Sequence, residues 1–419
     1  MRAIFALIFA LIFTLLTGFN PKAYHGASRA KQARLSFTSQ GHTMSIKISS
    51  QFDAGAIDVV SATSASSIDL NIRRDSHADI TQWFYFRLQG AQGQACSIRF
   101  LNAGKSAYPA GWEGYQAMAS YDRVEWFRVP TSFDGEVMTI SHTPEMDSVY
   151  YAYFEPYSWE RHLELLDRAQ LSEQVRMLDL GSSVEGRDMN VLVIGDPAAK
   201  KKVWVIARQH PGETMAEWFV EGMLDALLDP ADAFGRLLLK EAVFYVVPNM
   251  NPDGSVHGNL RTNAAGANLN REWNTPTMER SPEVFVVKNK MKETGCDLFL
   301  DVHGDEGLPY VFAAGSGSLP SFTPAQAAQE KRFADDFKIA SPDFQDVHGY
   351  GDSPYTEETI TMGSPHITHA FGCLSLTLEL PFKDNANDPD PICGWDGARS
   401  ARLGAAVLQP ILQALRHPA

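Results

Sequence analysis

Four side chains stand out by type and spacing. His210 and Glu213 flank Pro211 and Gly212 in the run His-Pro-Gly-Glu. His303 closes the apolar run Asp297–His303, and Glu379 sits near the end of Cys373–Leu380, just before Pro381. Two imidazoles and a carboxylate suit a catalytic zinc, which takes three protein ligands and keeps one position for water. Zinc so held acidifies water and polarises a carbonyl, and a further carboxylate can then accept a proton and return it to a leaving group. Glu379 is the carboxylate available for that work. Taken singly, each of these groups reads as a solvated polar residue at a strand end. Three apolar strands that each deliver such a group at the same end argue against that reading.

The elements that must position these groups follow from periodicity. Val203–Ala207 is short, apolar and β-branched, which is the pattern of a buried strand. Pro211 and Gly212 force a turn, and Met215–Leu228 then shows apolar residues at helical spacing. His210 and Glu213 thus project from a strand-to-helix turn, the place where open α/β sheets bind ligands. Strands are also expected at 175–182, 190–194, 242–248, 297–302, 310–314 and 373–380. Helices are expected at 158–172, 231–240, 281–294, 325–339 and 398–415. Alternation of this kind means an α/β sheet with helices on its faces. Asn249–Pro276 and Pro342–Phe371 read as long irregular segments, and long loops in compact domains tend to carry function.

Five short motifs occur in order: His210-Pro-Gly-Glu213, Asn251-Pro-Asp-Gly254, Asn268-Leu-Asn-Arg271, Asp301-Val-His-Gly304 and Thr377-Leu-Glu379. Together they resemble the zinc metallocarboxypeptidase family, and within it the cytosolic carboxypeptidase branch. The resemblance runs from about Tyr157 to the C-terminus, and the preceding region is similar to that branch's β-sandwich domain. It implies a doubly wound mixed-sheet α/β catalytic domain behind an N-terminal antiparallel β-sandwich. It implies one zinc per chain on His210, Glu213 and His303, with Glu379 as general acid/base. By the same resemblance Asn270 and Arg271 hold the substrate's terminal carboxylate and Arg261 polarises the scissile carbonyl. Guanidinium groups suit both tasks. The family places a tyrosine on the loop before the glutamate. Tyr350 and Tyr355 both fall there, and Tyr355 is taken as the substrate-binding one. Asp305 and Glu306 read as plain loop acids. Arg208 reads either as a structural ion pair or as a partner for an acidic group. His257, His348, His366 and His369 read as non-ligands.

The expected domains are 1–43, a leader or a mis-assigned start; 44–155, the β-sandwich; and 156–419, the catalytic domain. Residues 1–43 hold five basic side chains and no acid, whereas all 50 acidic residues follow Met44. Ala3–Leu16 has the length of a signal-peptide core and is too short to read as a membrane span, but no clear cleavage site follows. A start near Met44 implies a cytoplasmic protein, and a working leader an exported one. Residues 44–155 carry many short apolar runs separated by Gly and Asn turns, the pattern of a sandwich. Trp83-Phe84-Tyr85-Phe86 reads as core on one face and an interdomain contact on the other, and not as a ligand platform.

Net charge is −14, which argues against nucleic acid as the main partner. No stable membrane association is expected, and the oligomeric state is open. Cys96, Cys296, Cys373 and Cys393 lack Cys-x-x-Cys spacing and read as scattered thiols. The expected substrate is a peptide or protein C-terminus. The rival readings are an acyl-amino-acid hydrolase of aspartoacylase type on the same scaffold, and a catalytically silent peptide-binding protein.

Overall fold

The computed structural model describes residues 45–351 and 353–418. The expectations for residues 1–43, and for Met44 as the start, fall outside them. No helix among the described residues is long and apolar enough to cross a membrane.

Two five-stranded sheets build the N-terminal part. One runs β1 (Lys47–Ser49), β4 (Tyr85–Gln89), β10 (Ser148–Ala152), β6 (Ala117–Ser120) and β7 (Phe127–Val129). The other runs β2 (Asp58–Ser64), β3 (Ser67–Asn71), β5 (Cys96–Phe100), β9 (Met138–His142) and β8 (Thr131–Phe133). Neighbours are antiparallel except β3 and β5, which pair in parallel. Strands β6 and β8 do not announce themselves in the sequence. Ala-Met-Ala-Ser has little intrinsic strand preference, and burial on both faces makes the strand instead. Phe84 and Phe86 pack on Phe100 of the facing sheet, with ring centroids 4.7 and 6.2 Å apart. Tyr85 points the other way, onto Phe52. The aromatic run is therefore core on both faces.

A seven-stranded mixed sheet follows, ordered β11 (Val175–Ser182), β12 (Asp188–Ile194), β14 (Ala242–Val247), β13 (Lys201–Ala207), β15 (Leu298–Asp305), β17 (Leu374–Pro381) and β16 (Phe312–Ala314). The middle four strands are parallel and the flanking ones antiparallel. Helices α1 (Trp159–Gln170), α2 (Met215–Leu228), α3 (Ala233–Glu241), α4 (Pro252–His257), α5 (Pro282–Thr294), α6 (Pro324–Ala340), α7 (Gly363–Phe371), α8 (Gly397–Ala406) and α9 (Leu408–Arg416) connect or cover it. Alternation along β13 shows the sheet buried twice over. Val203 and Val205 join the core that contains α2, α8 and α9, while Trp204 and Ile206 join a second core with α5 and Ile367 of α7.

The expectations need three adjustments. The C-terminal helix expected over 398–415 is two helices that break at Val407. The segments expected to be irregular contain α4 and α7. Each is a short helix with polar faces, and α4 is started by Asn251 through a hydrogen bond from Gly254 N–H to its side chain. Cys296 and Cys373, at the amino ends of β15 and β17, bring their sulfurs to 3.8 Å, and both thiols are free.

Candidate metal centre and active site

The His-Pro-Gly-Glu turn is held from behind by a buried ion pair. Arg208 follows β13 with φ +58°, a conformation that side-chain-bearing residues rarely adopt. Its guanidinium lies 2.7 Å from Glu217 on α2 and donates to the Pro211 carbonyl at 2.8 Å. One arginine thus ties strand, turn and helix together. Of the two readings left open for Arg208, the structure bears out the ion pair. Glu217 is also 2.6 Å from His162 Nδ1 on α1. Gly212 donates its N–H to the Leu260 carbonyl at 2.8 Å. A Cβ there would sit 2.9 Å from Leu260 Cα, so only glycine fits this approach.

Three donors converge in front of that turn. His210 Nδ1 lies 2.7 Å from one Glu213 oxygen, and His303 Nδ1 lies 2.8 Å from the other. The two Nδ1 atoms are 3.2 Å apart. His210 Nε2 faces Asn268 Oδ1 at 3.0 Å, and His303 Nε2 faces Asp301 Oδ1 at 3.0 Å. Asn268 Oδ1 keeps the His210 proton on Nε2, and the charge of Asp301 draws the His303 proton to the same side, although Asp301 Oδ1 makes no hydrogen bond among the described residues. Both Nδ1 lone pairs are then left to converge with the carboxylate, an arrangement that suits a divalent metal. Among the described residues this is the one His/Glu group close enough to hold a metal. Burial, helped by the charge of Arg261, lowers His210 to about 4, so its ring is neutral at physiological pH. Burial also opposes ionisation of Glu213, but His210 and His303 outweigh it and hold the carboxylate well below its usual range.

Glu379 stands directly across the parallel ladder from His303. Burial pushes its carboxyl up to about 8, and Glu213 and Asp305 add to the effect while His303 opposes it. Its Oε2 is buried and makes no hydrogen bond within the described residues. Oε1 lies 2.9 Å from the Tyr350 hydroxyl. Tyr355, expected as the substrate-binding tyrosine, does not line the cavity, whereas Tyr350 does. The reason is a stack and a hydrogen bond that the sequence does not display. Tyr350 packs edge-on against Phe312 of β16 and donates toward Asp305 at 2.8 Å. Asp305 and Glu306 are not plain loop acids. Strand β15 runs on to Asp305, and both side chains are buried against the cavity.

The polar segment 249–276 wraps the site. Asn251 donates to the Gln209 carbonyl at 3.0 Å, and Gln209 in turn donates to Asp301 at 2.6 Å. Asn270 is pinned by Gly363 N–H, which donates to its side chain at 2.8 Å. Arg271 bonds the Asn270 carbonyl at 2.7 Å. Arg261 lies over the Tyr108 ring at 5.4 Å. His210, Glu213, Arg261, Asn270, Arg271, His303 and Glu379 all line one open cavity of about 1500 Å³. Tyr108, from the N-terminal part, completes its wall. Of the supporting residues, Asp301 had a sequence signal, since it lies two positions before His303 on the same strand face. Asn268 shares a motif with Asn270. Gln209 and Tyr108 carried none.

The profile of the zinc carboxypeptidase family matches residues 161–387, and that of the cytosolic carboxypeptidase N-terminal domain matches residues 48–154. The chain belongs to the zinc carboxypeptidase family. It is similar to a metallo-carboxypeptidase from Burkholderia cenocepacia of known structure, with 58% identity over 89% of this chain and 99% of that one, TM-score 0.87. A metallo-carboxypeptidase from Pseudomonas aeruginosa, solved in complex with (2-guanidinoethylmercapto)succinic acid, is 46% identical over 88% of this chain and 100% of that one, TM-score 0.86. Mouse cytosolic carboxypeptidase 2 is 30% identical over 70% of this chain but only 38% of its own length. The present chain spans little more than a third of that relative.

Proposed function

We propose that the chain removes C-terminal residues from peptides or proteins with one zinc held by His210, Glu213 and His303. The observation that carries this reading is the convergence of two Nδ1 atoms and one carboxylate beside Glu379, at the floor of an open cavity. Zinc in that set supplies Lewis-acid polarisation and a water of lowered pKa. Asn270 and Arg271 hold the terminal carboxylate, and the fixed positions of Asn270 and of the Asn270 carbonyl support this orientation. Arg261 aims its guanidinium at the scissile carbonyl, where charge grows in the transition state. Glu379 accepts the proton of the attacking water and delivers it to the leaving amine. Its buried, unpartnered oxygen supports that role, because no protein donor competes for it.

The test is release of the terminal residue from peptides ending in acidic, basic, aromatic and aliphatic residues. Wild type and Glu379→Gln are run together, with zinc content measured in both. Cleavage by wild type, with a loss of about 10²–10⁴-fold in kcat and full zinc in the variant, is expected. Wild type that holds zinc yet releases nothing from any free C-terminus would overturn the reading, and acylated amino acids would be the next substrates.

A further inference from the structure

The loop that carries Arg261 is gripped by a carboxylate from the other part of the chain. Asp75 follows β3 and is buried. Its Oδ1 accepts the Leu260 N–H at 2.7 Å. Its Oδ2 accepts the Arg261 N–H at 2.7 Å, the Thr262 N–H at 3.0 Å and the Thr262 hydroxyl at 3.3 Å. Three successive backbone donors thus point at one side chain. Asp75 is itself fixed, because its N–H donates to the Ile80 carbonyl at 2.8 Å. The next residue adds a second tie: Ser76 N–H donates to the Asn259 side chain at 3.0 Å.

The guanidinium end is placed by the same part of the chain. Tyr108 lies under it at 5.4 Å, and the Tyr108 backbone is clamped by Gln82, whose side chain accepts its N–H at 3.1 Å. Among the described residues no acceptor takes a hydrogen bond from the Arg261 guanidinium. Its donors are therefore unspent, and its position depends on what holds its backbone and its flat face. The Leu260 carbonyl also accepts from Gly212, so the loop held by Asp75 abuts the turn that bears His210 and Glu213.

We propose that Asp75 is a positioning residue for Arg261, and so that the N-terminal sandwich sets the geometry of the catalytic cavity. This rests on the reading of Arg261 as the group that polarises the scissile carbonyl. An aspartate offers enough lone pairs for four donors, whereas asparagine must turn a donor toward some of them. Asp75→Asn therefore loosens the loop with the fold and the metal donors intact. A displacement near 1 Å at a charge-stabilising group is worth about 10²-fold in rate.

The experiment uses the full chain and a peptide that wild type cleaves. Wild type, Asp75→Asn, Arg261→Gln and the double variant are compared in kcat, KM, zinc content and thermal midpoint. Expected is a fall of about 10–100-fold in kcat for Asp75→Asn with KM changed little and zinc retained, and a further loss below about twofold when the same change is made in Arg261→Gln. Asp75→Asn with wild-type kcat beside a crippled Arg261→Gln overturns the proposal alone. So do losses that multiply in the double variant, since they mean a general structural cost. An active Arg261→Gln overturns both the proposal and the role given to Arg261. Should Asp75→Asn not fold, Thr262→Val removes only the hydroxyl donor. A kcat loss of about threefold that vanishes in Arg261→Gln supports the proposal, and no loss overturns it.

Discussion

The Tyr350 hydroxyl lies between two carboxylates, 2.9 Å from Glu379 Oε1 and 2.8 Å from Asp305 Oδ2. A phenol has one proton to donate. That proton serves one of the two carboxylates at a time. Burial pushes the Glu379 carboxyl up to about 8 and so makes it a stronger base, and the Tyr350 hydroxyl favours its ionised form. Tyr350→Phe is expected to lower kcat/KM by about tenfold, the worth of one hydrogen bond to a charged group. Tyr355→Phe should leave the rate unchanged. Steady-state kinetics on both variants decides which tyrosine serves the site, and equal effects would refute this assignment.

The Asp301 carboxylate is proposed to fix the tautomer of His303. Asp301→Asn presents an amide of similar size but weakens the pull on the Nε2 proton. Zinc affinity is expected to fall about 10–100-fold. Competition against a chromogenic chelator measures it. An unchanged affinity would show that Asp301 does not act through His303.

The Arg208–Glu217 pair is almost fully buried. Removing one partner of such a pair leaves an uncompensated charge, which costs about 3–5 kcal/mol. Glu217→Ala is expected to lower the unfolding free energy read from urea titration by that amount, moving the midpoint down, and to loosen zinc, because Arg208 then loses its hold on the turn. Glu217→Ala with an unmoved midpoint would contradict the structural role given to the pair.

Glu283 on α5 is wholly buried, and burial raises its carboxyl to about 7 despite a hydrogen bond from Asn263. Its folded value lies above its unfolded one. Its contribution to stability is therefore fully present below about pH 4.5 and is lost as pH rises through about 7. The loss runs at up to about 1.4 kcal/mol per pH unit. Glu283→Gln keeps an oxygen for Asn263 and abolishes the titration. Relative to wild type, its thermal midpoint should climb between pH 5 and 8. Parallel profiles would count against a perturbed Glu283.

The primary structure by itself determined the donor set and the strands that carry it. His210, Glu213, His303 and Glu379 could be picked out because buried parallel strands read as apolar runs, and a polar group at such a run's carboxyl end breaks the pattern. The strand at 175–182 and the helix at 215–228 were readable to the residue, since their period is local. Only the tertiary structure decided which residues support those groups. Tyr350 rather than Tyr355 reaches Glu379 because of its packing on Phe312, and periodicity carries no trace of a contact across 38 residues of sequence. Cys296 and Cys373 become neighbours only through the β15–β17 register. Asp75 and Tyr108 meet Arg261 across the join between sandwich and mixed sheet, more than 150 residues away in sequence. Such contacts depend on how two separately patterned regions bury their faces against each other. Local propensity and spacing are blind to that.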